Sequence, residues 1–264
     1  MMHLTGKTVL LTGASGGIGR AIARELHRHH VRLVLTGRRI EALTELAEQL
    51  DAQVLAADLS SAAAVEGLAE VAGPVDVFIA NAALPSSGDL LGYTPEQIDR
   101  ALDVNLRAPI MLTRLLVPGM LSRGSGHVVM IGSISGKVAS PSVPLYNATK
   151  YGLRGFTHGL RQDLHGTGIG VSLVQPGFVR DAGMFADTGA TPPAGTRTVA
   201  PQQVATAVIE AIQRNRAEVN VAPLEIRLAS ALGGVFPTLA ENVQRKAKAK
   251  QLAEQISNAQ QHKR

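Results

Sequence analysis

The sequence contains no cysteine and no tryptophan, and aromatic residues make up only 3% of it. Without cysteine the chain forms neither disulfides nor thiolate metal sites, which agrees with a reducing compartment. No run of eighteen apolar residues is present, and the stretch from Met1 to Lys7 contains no apolar signal segment. We therefore expect a soluble, unprocessed, cytoplasmic protein that does not insert stably into a membrane.

Acidic residues are in the minority, and the net charge of +5 raises the question of a polyanionic partner. The excess is concentrated at one end, because residues 241–264 contain six basic and two acidic residues, a net charge of +4. A terminal excess is typical of a solvated tail or helix end, and few aromatic rings are available to stack on bases. We expect no nucleic-acid partner, and we interpret residues 245–264 as a basic, flexible C-terminal helix or tail.

Short apolar runs alternate with segments of helical periodicity along the chain. Seven runs predict strands, namely Thr8–Thr12, Arg32–Thr36, Gln53–Ala57, Val75–Ala80, His127–Ile131, Gly170–Gln175 and Glu218–Val221. Most are apolar at nearly every position, which is typical of strands buried on both faces of a parallel sheet. The length and a hydrophobic content of 45% suit one domain over residues 1–264. The sequence therefore predicts an α/β protein with a doubly wound Rossmann fold, a seven-stranded parallel sheet with helices on both faces.

Two later segments depart from this alternation. Glycines and prolines interrupt residues 180–199, which indicates a substrate lid, since a loop of this length in a compact domain is usually either functional or disordered. Further on, apolar residues at helical spacing predict a core or subunit contact, with a membrane-surface helix as the alternative. This apolar stripe consists of Leu228, Leu232, Val235, Leu239 and Val243.

A glycine-rich turn follows the first predicted strand and opens a helical segment. Its spacing is G-x-x-x-G-x-G, at Gly13, Gly17 and Gly19. Glycine permits a tight turn and a close approach of backbone to ligand, while free N–H groups at a helix start attract phosphate oxygens. At the first strand–helix junction, this pattern indicates a dinucleotide site.

The end of the second predicted strand carries Arg38 and Arg39. A site for the unphosphorylated cofactor commonly has an acidic residue here to bind the ribose hydroxyls. A guanidinium group instead binds phosphate oxygens through paired, charge-assisted hydrogen bonds. The two arginines therefore predict NADP(H) as the cofactor, with NAD(H) as the alternative.

Tyr146 and Lys150 are four residues apart, a spacing that puts a phenol and an ammonium group on one face of a helix. A neighbouring cation favours the phenolate, so we expect Lys150 to lower the pKa of Tyr146 toward working pH. The pair is a candidate for proton transfer.

With these features assembled, the chain resembles the short-chain dehydrogenase/reductase family over nearly its full length. The motifs that carry the resemblance occur in the family's order: Thr12-Gly13-x-x-x-Gly17-Ile18-Gly19, Asn81-Ala82-Ala83, Asn105, Ser133, Tyr146-x-x-x-Lys150 and Pro176-Gly177. Ser133 stands thirteen residues before Tyr146, at the end of the fifth predicted strand.

The resemblance implies an NAD(P)-dependent oxidoreductase that acts on a small-molecule carbonyl or secondary alcohol. It assigns proton transfer to Tyr146, a hydrogen bond to the substrate oxygen to Ser133, and both ribose binding and pKa lowering to Lys150. Asn105 would help to hold a chain of water molecules that leads to Lys150. The resemblance also implies a homodimer or homotetramer.

The cofactor-binding residues are drawn from the glycine turn, the two arginines and the matching motifs, with Asp58 as the acid that contacts adenine. They are Gly13, Ser15, Gly17, Ile18, Gly19, Arg38, Arg39, Asp58, Leu59, Asn81, Ala82, Tyr146, Lys150, Pro176, Gly177 and Val179.

The chain departs from the family pattern at two positions. Ala83 replaces a glycine, which adds only a methyl group near the cofactor. Asp181 stands about where related sequences often have a threonine that bonds the nicotinamide carboxamide, and an ionised carboxylate cannot donate to the amide oxygen. Two other functions stay open: a non-catalytic dinucleotide sensor or interaction protein, and a sugar-nucleotide epimerase or dehydratase.

A metal site is not expected. His27, His29 and His30 are close in sequence but lack a convincing frame of carboxylate and histidine ligands. Their position at a predicted helix end favours a simpler role, since positive charge is stabilised there by the helix dipole.

Overall fold

Strands and helices alternate along the chain in the computed structural model, which describes residues 2–184, 186, 197–238 and 241–242. The strands are β1 (Thr8–Thr12), β2 (Arg32–Gly37), β3 (Gln53–Ala56), β4 (Val77–Ala80), β5 (Gly126–Ile131), β6 (Ile169–Pro176) and β7 (Glu218–Val221). Within the described residues, the α-helices are α1 (Gly17–Arg28), α2 (Ile40–Leu50), α3 (Ala62–Val71), α4 (Pro95–Leu102), α5 (Ala108–Ser122), α6 (Pro144–Asp163), α7 (Pro201–Arg214) and α8 (Leu224–Val235). Shorter turns are the 3-10 turns Leu90–Gly92 and Ile134–Gly136 and the π-helical turn Asp103–Arg107.

The seven strands lie parallel in one sheet, in the order β3-β2-β1-β4-β5-β6-β7. The predicted doubly wound fold is therefore confirmed. Strand order reverses between β1 and β4, which opens a crevice at their carboxyl ends. Open α/β sheets bind their ligands at such a crevice.

Two apolar layers cover the sheet, one on each face. In β1, Val9 and Leu11 belong to one layer and Leu10 to the other, because successive side chains of a strand point to opposite faces. Ile22 and Leu26, one turn apart on α1, are fully buried in the first layer. With both faces covered by helices, the ends of the strands are left for a ligand.

The fourth strand starts two residues later than predicted. Asp76 stands just before it, and its backbone N–H donates to the Thr8 carbonyl oxygen at 2.9 Å. The carboxylate of Asp76 accepts from the Thr8 N–H, also at 2.9 Å. A side chain therefore replaces a backbone partner where regular strand pairing was expected to begin.

The apolar stripe is exposed where the structure describes it. Leu228, Leu232 and Val235 on α8 keep 56%, 60% and 69% of their surface accessible. The core interpretation is therefore wrong for these three residues, while the subunit and membrane-surface interpretations stay untested. Leu239 and Val243 lie outside the described residues, as does the predicted tail 245–264. Among the described helices, none is long and apolar enough to cross a bilayer.

The two ends of the predicted lid are fixed together. Val179 and Val199 form a parallel bridge, in which Arg180 N donates to Val199 O and Val199 N donates to Phe178 O, both at 2.9 Å. Residues 185 and 187–196 of the lid lie outside the described part of the chain. The described residues on the two sides of this gap are therefore held next to each other just after β6.

Candidate active site

The glycine-rich turn after β1 leaves no room for a side chain at three of its glycines. Gly13 has a φ of +65°, and a Cβ there would lie 2.7 Å from the Cα of Ala82. A Cβ at Gly19 would collide with the Gly13 carbonyl oxygen, and one at Gly17 would collide with Ala182. Helix α1 starts here without a side-chain cap. This cradle suits a pyrophosphate, because backbone N–H groups at a bare helix start attract anionic oxygens.

Hydrogen bonds between β1 and β4 hold this turn in place. The hydroxyl oxygen of Thr12 accepts from the backbone N–H groups of Asn81 and Ala82 at 3.0 and 3.1 Å. The Asn81 amide nitrogen donates to the carbonyl oxygens of Thr12 and Gly13, at 3.0 and 3.1 Å. The structure therefore brings Asn81 and Ala82 to the turn, where the amide nitrogen of Asn81 supports the backbone. Thr12 is a supporting residue that sequence reasoning used only as part of a motif.

Two arginines meet the turn at the carbonyl oxygen of Ser15. Arg39 Nη2 donates to it at 3.0 Å, and Arg20 Nε donates to it at 3.4 Å. Arg20 also donates to the Ala42 carbonyl oxygen at 3.3 Å and so joins the turn to α2. Arg20 was missed from the sequence because nothing in its spacing distinguishes it from an ordinary solvated helix residue.

Arg38 and Asp58 lie near each other beside the ends of β2 and β3. Burial raises the pKa of Asp58, but hydrogen bonds from Ser60 and the charge of Arg38 outweigh it and hold the pKa below its ordinary value. Asp58 Oδ1 accepts from Ser60 N at 3.1 Å and from Ser60 Oγ at 2.9 Å. Leu59, between them, is buried. Arg38 itself is exposed, so its guanidinium is accessible to an anion.

Helix α6 carries Tyr146 in its first turn and Lys150 one turn further along. Pro144 begins the helix, where its missing N–H costs no hydrogen bond. Lys150 is buried, and its Nζ donates to the carbonyl oxygen of Ile131 at 3.0 Å, at the end of β5. The same nitrogen lies 5.7 Å from the centre of the Tyr146 ring. The predicted pair is therefore together, with its cation held against the sheet.

Ser133 completes a group of three. It follows β5 and caps the 3-10 turn Ile134–Gly136, with its Oγ accepting from Ser135 N at 3.1 Å. Its side chain also lies close enough to the Tyr146 phenol to lower the pKa of that phenol as a hydrogen-bonding partner. Tyr146 and Ser133 are both partly accessible, whereas Lys150 is buried behind them. Two neighbouring, partly accessible hydroxyl groups can both reach one substrate oxygen.

Burial determines the protonation of this group. It raises the pKa of the Tyr146 phenol above its ordinary value, and the hydrogen bond with Ser133 offsets this only in part. The predicted lowering of the phenol pKa is therefore wrong for this structure, because desolvation of the phenolate outweighs its stabilisation. Burial also lowers the pKa of Lys150 to about 8. At neutral pH the phenol holds its proton and the lysine is largely cationic.

Asn105 lies in the π-helical turn between α4 and α5. Its Oδ1 accepts from Leu84 N at 2.6 Å, and its Nδ2 donates to Leu84 O at 2.9 Å and to Ser86 Oγ at 3.5 Å. The side chain is 1% exposed. These bonds fix the segment that follows β4. The turn also contacts α6, since a Cβ at Gly152 would lie 3.1 Å from Leu106. A π-turn often marks a functional site, and the sequence pattern did not predict it.

The segment after β6 borders the crevice. Pro176 ends the strand, and Gly177 N donates to Val221 O at 3.0 Å. Val179 is buried at the bridge described above. Asp181 has a φ of +64°, and its carboxylate, 72% exposed, lies 3.3 Å from Arg180 Nε. The Asp181 side chain therefore forms an exposed ion pair with Arg180.

The start of the predicted lid packs on the glycine turn. Ala182 packs on Gly17, and a Cβ at Gly183 would lie 3.2 Å from the Ile18 side chain. The side chain of Ile18, in the first turn of α1, therefore faces this segment. Several of the residues predicted to bind a cofactor thus follow the carboxyl ends of neighbouring strands, from Arg38 after β2 to Gly177 after β6, the edge of an open α/β sheet at which ligands bind.

The histidines at the end of α1 form no cluster with acidic side chains that has the composition of a metal site. His29 Nε2 lies 3.9 Å from Glu25, and His30 adopts a φ of +54° just after the helix. Across the part of the chain that the structure describes, no group of three or more potential ligands is positioned to hold a metal ion.

The uncapped start of α1 lies where the strand order reverses, and the site also contains Ser133, Tyr146 and Lys150. This combination is typical of a nicotinamide-dependent oxidoreductase. The family model described as "short chain dehydrogenase" matches residues 7–193. The chain belongs to this family of short-chain dehydrogenases and reductases, which confirms the resemblance seen in its motifs.

Individual relatives agree with this assignment. The chain is 36% identical over 259 residues to the ketoacyl reductase HetN of Nostoc sp. (strain PCC 7120). The alignment covers 93% of this chain and 90% of that protein. A short-chain dehydrogenase from Sphingobium yanoikuyae in complex with NADPH superimposes with a TM-score of 0.77 at 28% identity, over 89% of this chain and 95% of that one. A metagenomic short-chain oxidoreductase in complex with NADP gives a TM-score of 0.71 at 32% identity, over 84% and 99%.

Proposed function

We propose that the protein is an NADP(H)-dependent oxidoreductase that transfers a hydride between nicotinamide and the carbon of a carbonyl group or secondary alcohol. Tyr146 is the proton donor and acceptor. The observation that carries this proposal is the meeting of Tyr146, Ser133 and Lys150 beside a glycine turn that suits a pyrophosphate. When bound, the nicotinamide supplies or accepts the hydride.

The side chains divide the remaining work. Ser133 binds the substrate oxygen and orients it toward the phenol. Tyr146 gives its proton to that oxygen during reduction and takes it back during oxidation. The raised pKa of Tyr146 favours the first role, because the phenol stays protonated at neutral pH. Lys150 stabilises the phenolate left after proton transfer through its positive charge. Asn105 fixes the segment after β4 and supports the site from behind.

Several features support NADP(H) over NAD(H). Arg38 is exposed beside β2, and Arg39 lies against the glycine turn. Guanidinium groups there suit a 2′-phosphate. Two of the solved relatives are complexes with NADPH or NADP. Asp58, which lies close to Arg38, remains the proposed adenine contact.

The similarity to a ketoacyl reductase favours reduction of a carbonyl as the working direction, and a ketoacyl thioester belongs among the first substrates to test. We also propose a cytoplasmic homodimer or homotetramer that binds no nucleic acid. Residues 180–199 form the substrate lid in this proposal.

The test is NADPH oxidation with a panel of ketones, aldehydes and ketoacyl thioesters. We expect turnover by the wild-type protein and loss of at least about a hundredfold in kcat for Tyr146→Phe, the scale of a lost general acid. Tyr151→Phe is the matched control, because Tyr151 lies on the same helix and is 41% exposed. It is expected to keep its kcat within about twofold.

Equal turnover by Tyr146→Phe and wild type rules out Tyr146 as the proton donor. Tight NADPH binding without turnover on any substrate of the panel favours the dinucleotide-sensor alternative instead.

A further inference from the structure

Glu218, the first residue of β7, holds three basic side chains from two other parts of the chain. Its Oε1 accepts from Lys137 Nζ at 2.7 Å, and its Oε2 lies 3.0 Å from both Arg154 Nε and His158 Nε2. The Glu218 and Lys137 side chains are only 15% and 13% exposed. Burial raises the pKa of Glu218, but the hydrogen bonds from its basic partners outweigh it and lower the pKa to about 2. We call these four residues the Glu218 cluster.

Two members of the cluster extend the catalytic face of α6. Tyr146, Lys150, Arg154 and His158 follow one another at intervals of four residues. Residues at this spacing form one ridge along a helix. The ridge therefore begins in the proposed active site and ends on the carboxylate of Glu218.

Lys137 connects the cluster to Ser133. Lys137 follows the 3-10 turn that Ser133 caps, and Lys137 N donates to Ile134 O at 2.9 Å. Within the turn, Gly136 N donates to Ser133 O at 2.8 Å. Gly136 packs on the backbone of α6, since a Cβ there would lie 2.6 Å from the Lys150 carbonyl oxygen. Lys137 is thus connected to the turn that Ser133 caps, and this turn packs on α6.

We propose that Glu218 is a positioning residue for the active site. One carboxylate on the edge strand holds both the turn that carries Ser133 and the helix that carries Tyr146, and so sets the distance between their hydroxyl groups. The inference rests on the proposed function, because the geometry concerned is that of proton transfer to a substrate oxygen. Misplacement of a catalytic group by about 1 Å is enough to lower a rate on the order of a hundredfold.

Removal of the negative charge releases this arrangement. Lys137, largely buried, and Arg154, partly buried, are then left without a counter-charge, so they move toward water. The serine turn and the helix then lose their common anchor. Glu218 starts β7 and pairs with Leu173 inside the sheet, away from the carboxyl ends of the strands. It is not among the proposed substrate or cofactor contacts, so we expect the loss to fall on the chemical step.

Glu218→Gln tests this directly, with Glu210→Gln as the matched control. Glu210 also joins two cations, Arg214 and Arg216, at 3.3 and 3.2 Å, but on the exposed end of α7. We expect kcat of Glu218→Gln to fall at least about tenfold, with KM and the NADPH dissociation constant within about twofold of wild type. The control keeps all three values within about twofold. Retention of kcat by Glu218→Gln, or a loss of kcat only in proportion to a loss of NADPH binding, overturns the proposal.

Lys137→Met supplies an independent variant if Glu218→Gln folds poorly. Because both substitutions break the same link, we expect a similar loss of kcat from each and no further loss in the double variant. Losses that multiply in the double variant show that the two residues act separately, and they overturn the proposal.

Hydrogen–deuterium exchange distinguishes a failure of this inference from a failure of the proposed function. We expect Glu218→Gln to accelerate exchange in the peptides that cover residues 133–138 and 146–158, and not in α7. If the wild-type protein reduces no carbonyl, the proposed function fails, while faster exchange still shows that Glu218 holds the two elements together. Unchanged exchange in both peptides overturns the positioning role whatever the activity.

Discussion

Replacement of His127 by glutamine is expected to remove a pH-dependent loss of stability from the wild-type protein. His127, on β5, is 2% exposed, and its Nε2 lies 2.8 Å from Ser172 Oγ. Ser172 Oγ donates in turn to Arg216 O at 2.6 Å, so the histidine donates from Nε2. A Cβ at Gly170 would collide with the other side of the ring. The site therefore holds a neutral imidazole and leaves no room for water around an imidazolium.

The magnitude follows from the two pKa values. Burial, with a smaller contribution from the charge of Arg161, lowers the pKa of His127 from 6.5 to about 3. The unfolded chain therefore takes up a proton below pH 6.5 that the folded chain rejects until about pH 3, and stability falls as the pH falls through this range. At pH 5, protonation of this histidine favours the unfolded chain over the folded chain by a factor of about thirty. This factor corresponds to about 2 kcal/mol of lost stability.

Urea unfolding at pH 8 and pH 5, followed by far-ultraviolet circular dichroism, measures this effect. We expect the free energy of unfolding of the wild type to fall by about 2 kcal/mol more than that of His127→Gln between the two pH values. The other histidines and the carboxylates are common to both proteins, so their contributions cancel. An equal pH dependence in the two proteins, within about 0.5 kcal/mol, refutes the reasoning, because it means that His127 is protonated in the folded state at little cost.

The remaining predictions concern the cofactor and Asn105. Arg38→Asp is expected to weaken NADPH binding at least about tenfold more than NADH binding, the scale of one charge-assisted hydrogen bond to phosphate. Fluorescence titration with both cofactors measures the ratio, and an unchanged ratio contradicts the role of Arg38. Asn105→Ala is expected to lower the free energy of unfolding by about 2–4 kcal/mol, since it leaves the buried N–H and C=O of Leu84 without partners. Urea unfolding at pH 8 measures this loss, and a change below about 1 kcal/mol shows that water or another group replaces the amide.

Periodicity was sufficient to predict the sheet. The seven apolar runs match the seven strands within two residues at each end, because a parallel strand buried on both faces needs apolar residues at nearly every position. The one notable shift, at the start of β4, arises from Asp76, whose carboxylate takes the place of a backbone partner. A pattern of hydrophobicity does not indicate where a side chain replaces the backbone as a hydrogen-bond partner.

The apolar stripe on α8 was harder to interpret. Its spacing predicts an apolar face but does not indicate what covers it, and Leu228 and Leu232 are more than half exposed in the structure. Spacing gives the orientation of side chains on a helix, whereas burial depends on the tertiary packing around it.

Motifs predicted the meeting of Tyr146, Lys150 and Ser133, because local spacing and the end of β5 place all three. The pKa of the phenol was not predictable in this way, since it depends on burial rather than on spacing. The Glu218 cluster was also out of reach. Its carboxylate binds Lys137, which is 81 residues away in sequence, and only the completed fold brings them together.

Reduction of a ketone with NADPH that carries deuterium at C4 of the nicotinamide, followed by mass spectrometry of the alcohol, measures hydride transfer itself. With wild-type protein, we expect deuterium from one of the two faces of the nicotinamide ring to appear on the carbinol carbon of the product. With Tyr146→Phe, we expect transfer of this label to be at least about a hundredfold slower. An alcohol without label from either labelled face, or label transfer at the same rate in Tyr146→Phe, contradicts a reaction in which nicotinamide and phenol act together at one carbonyl.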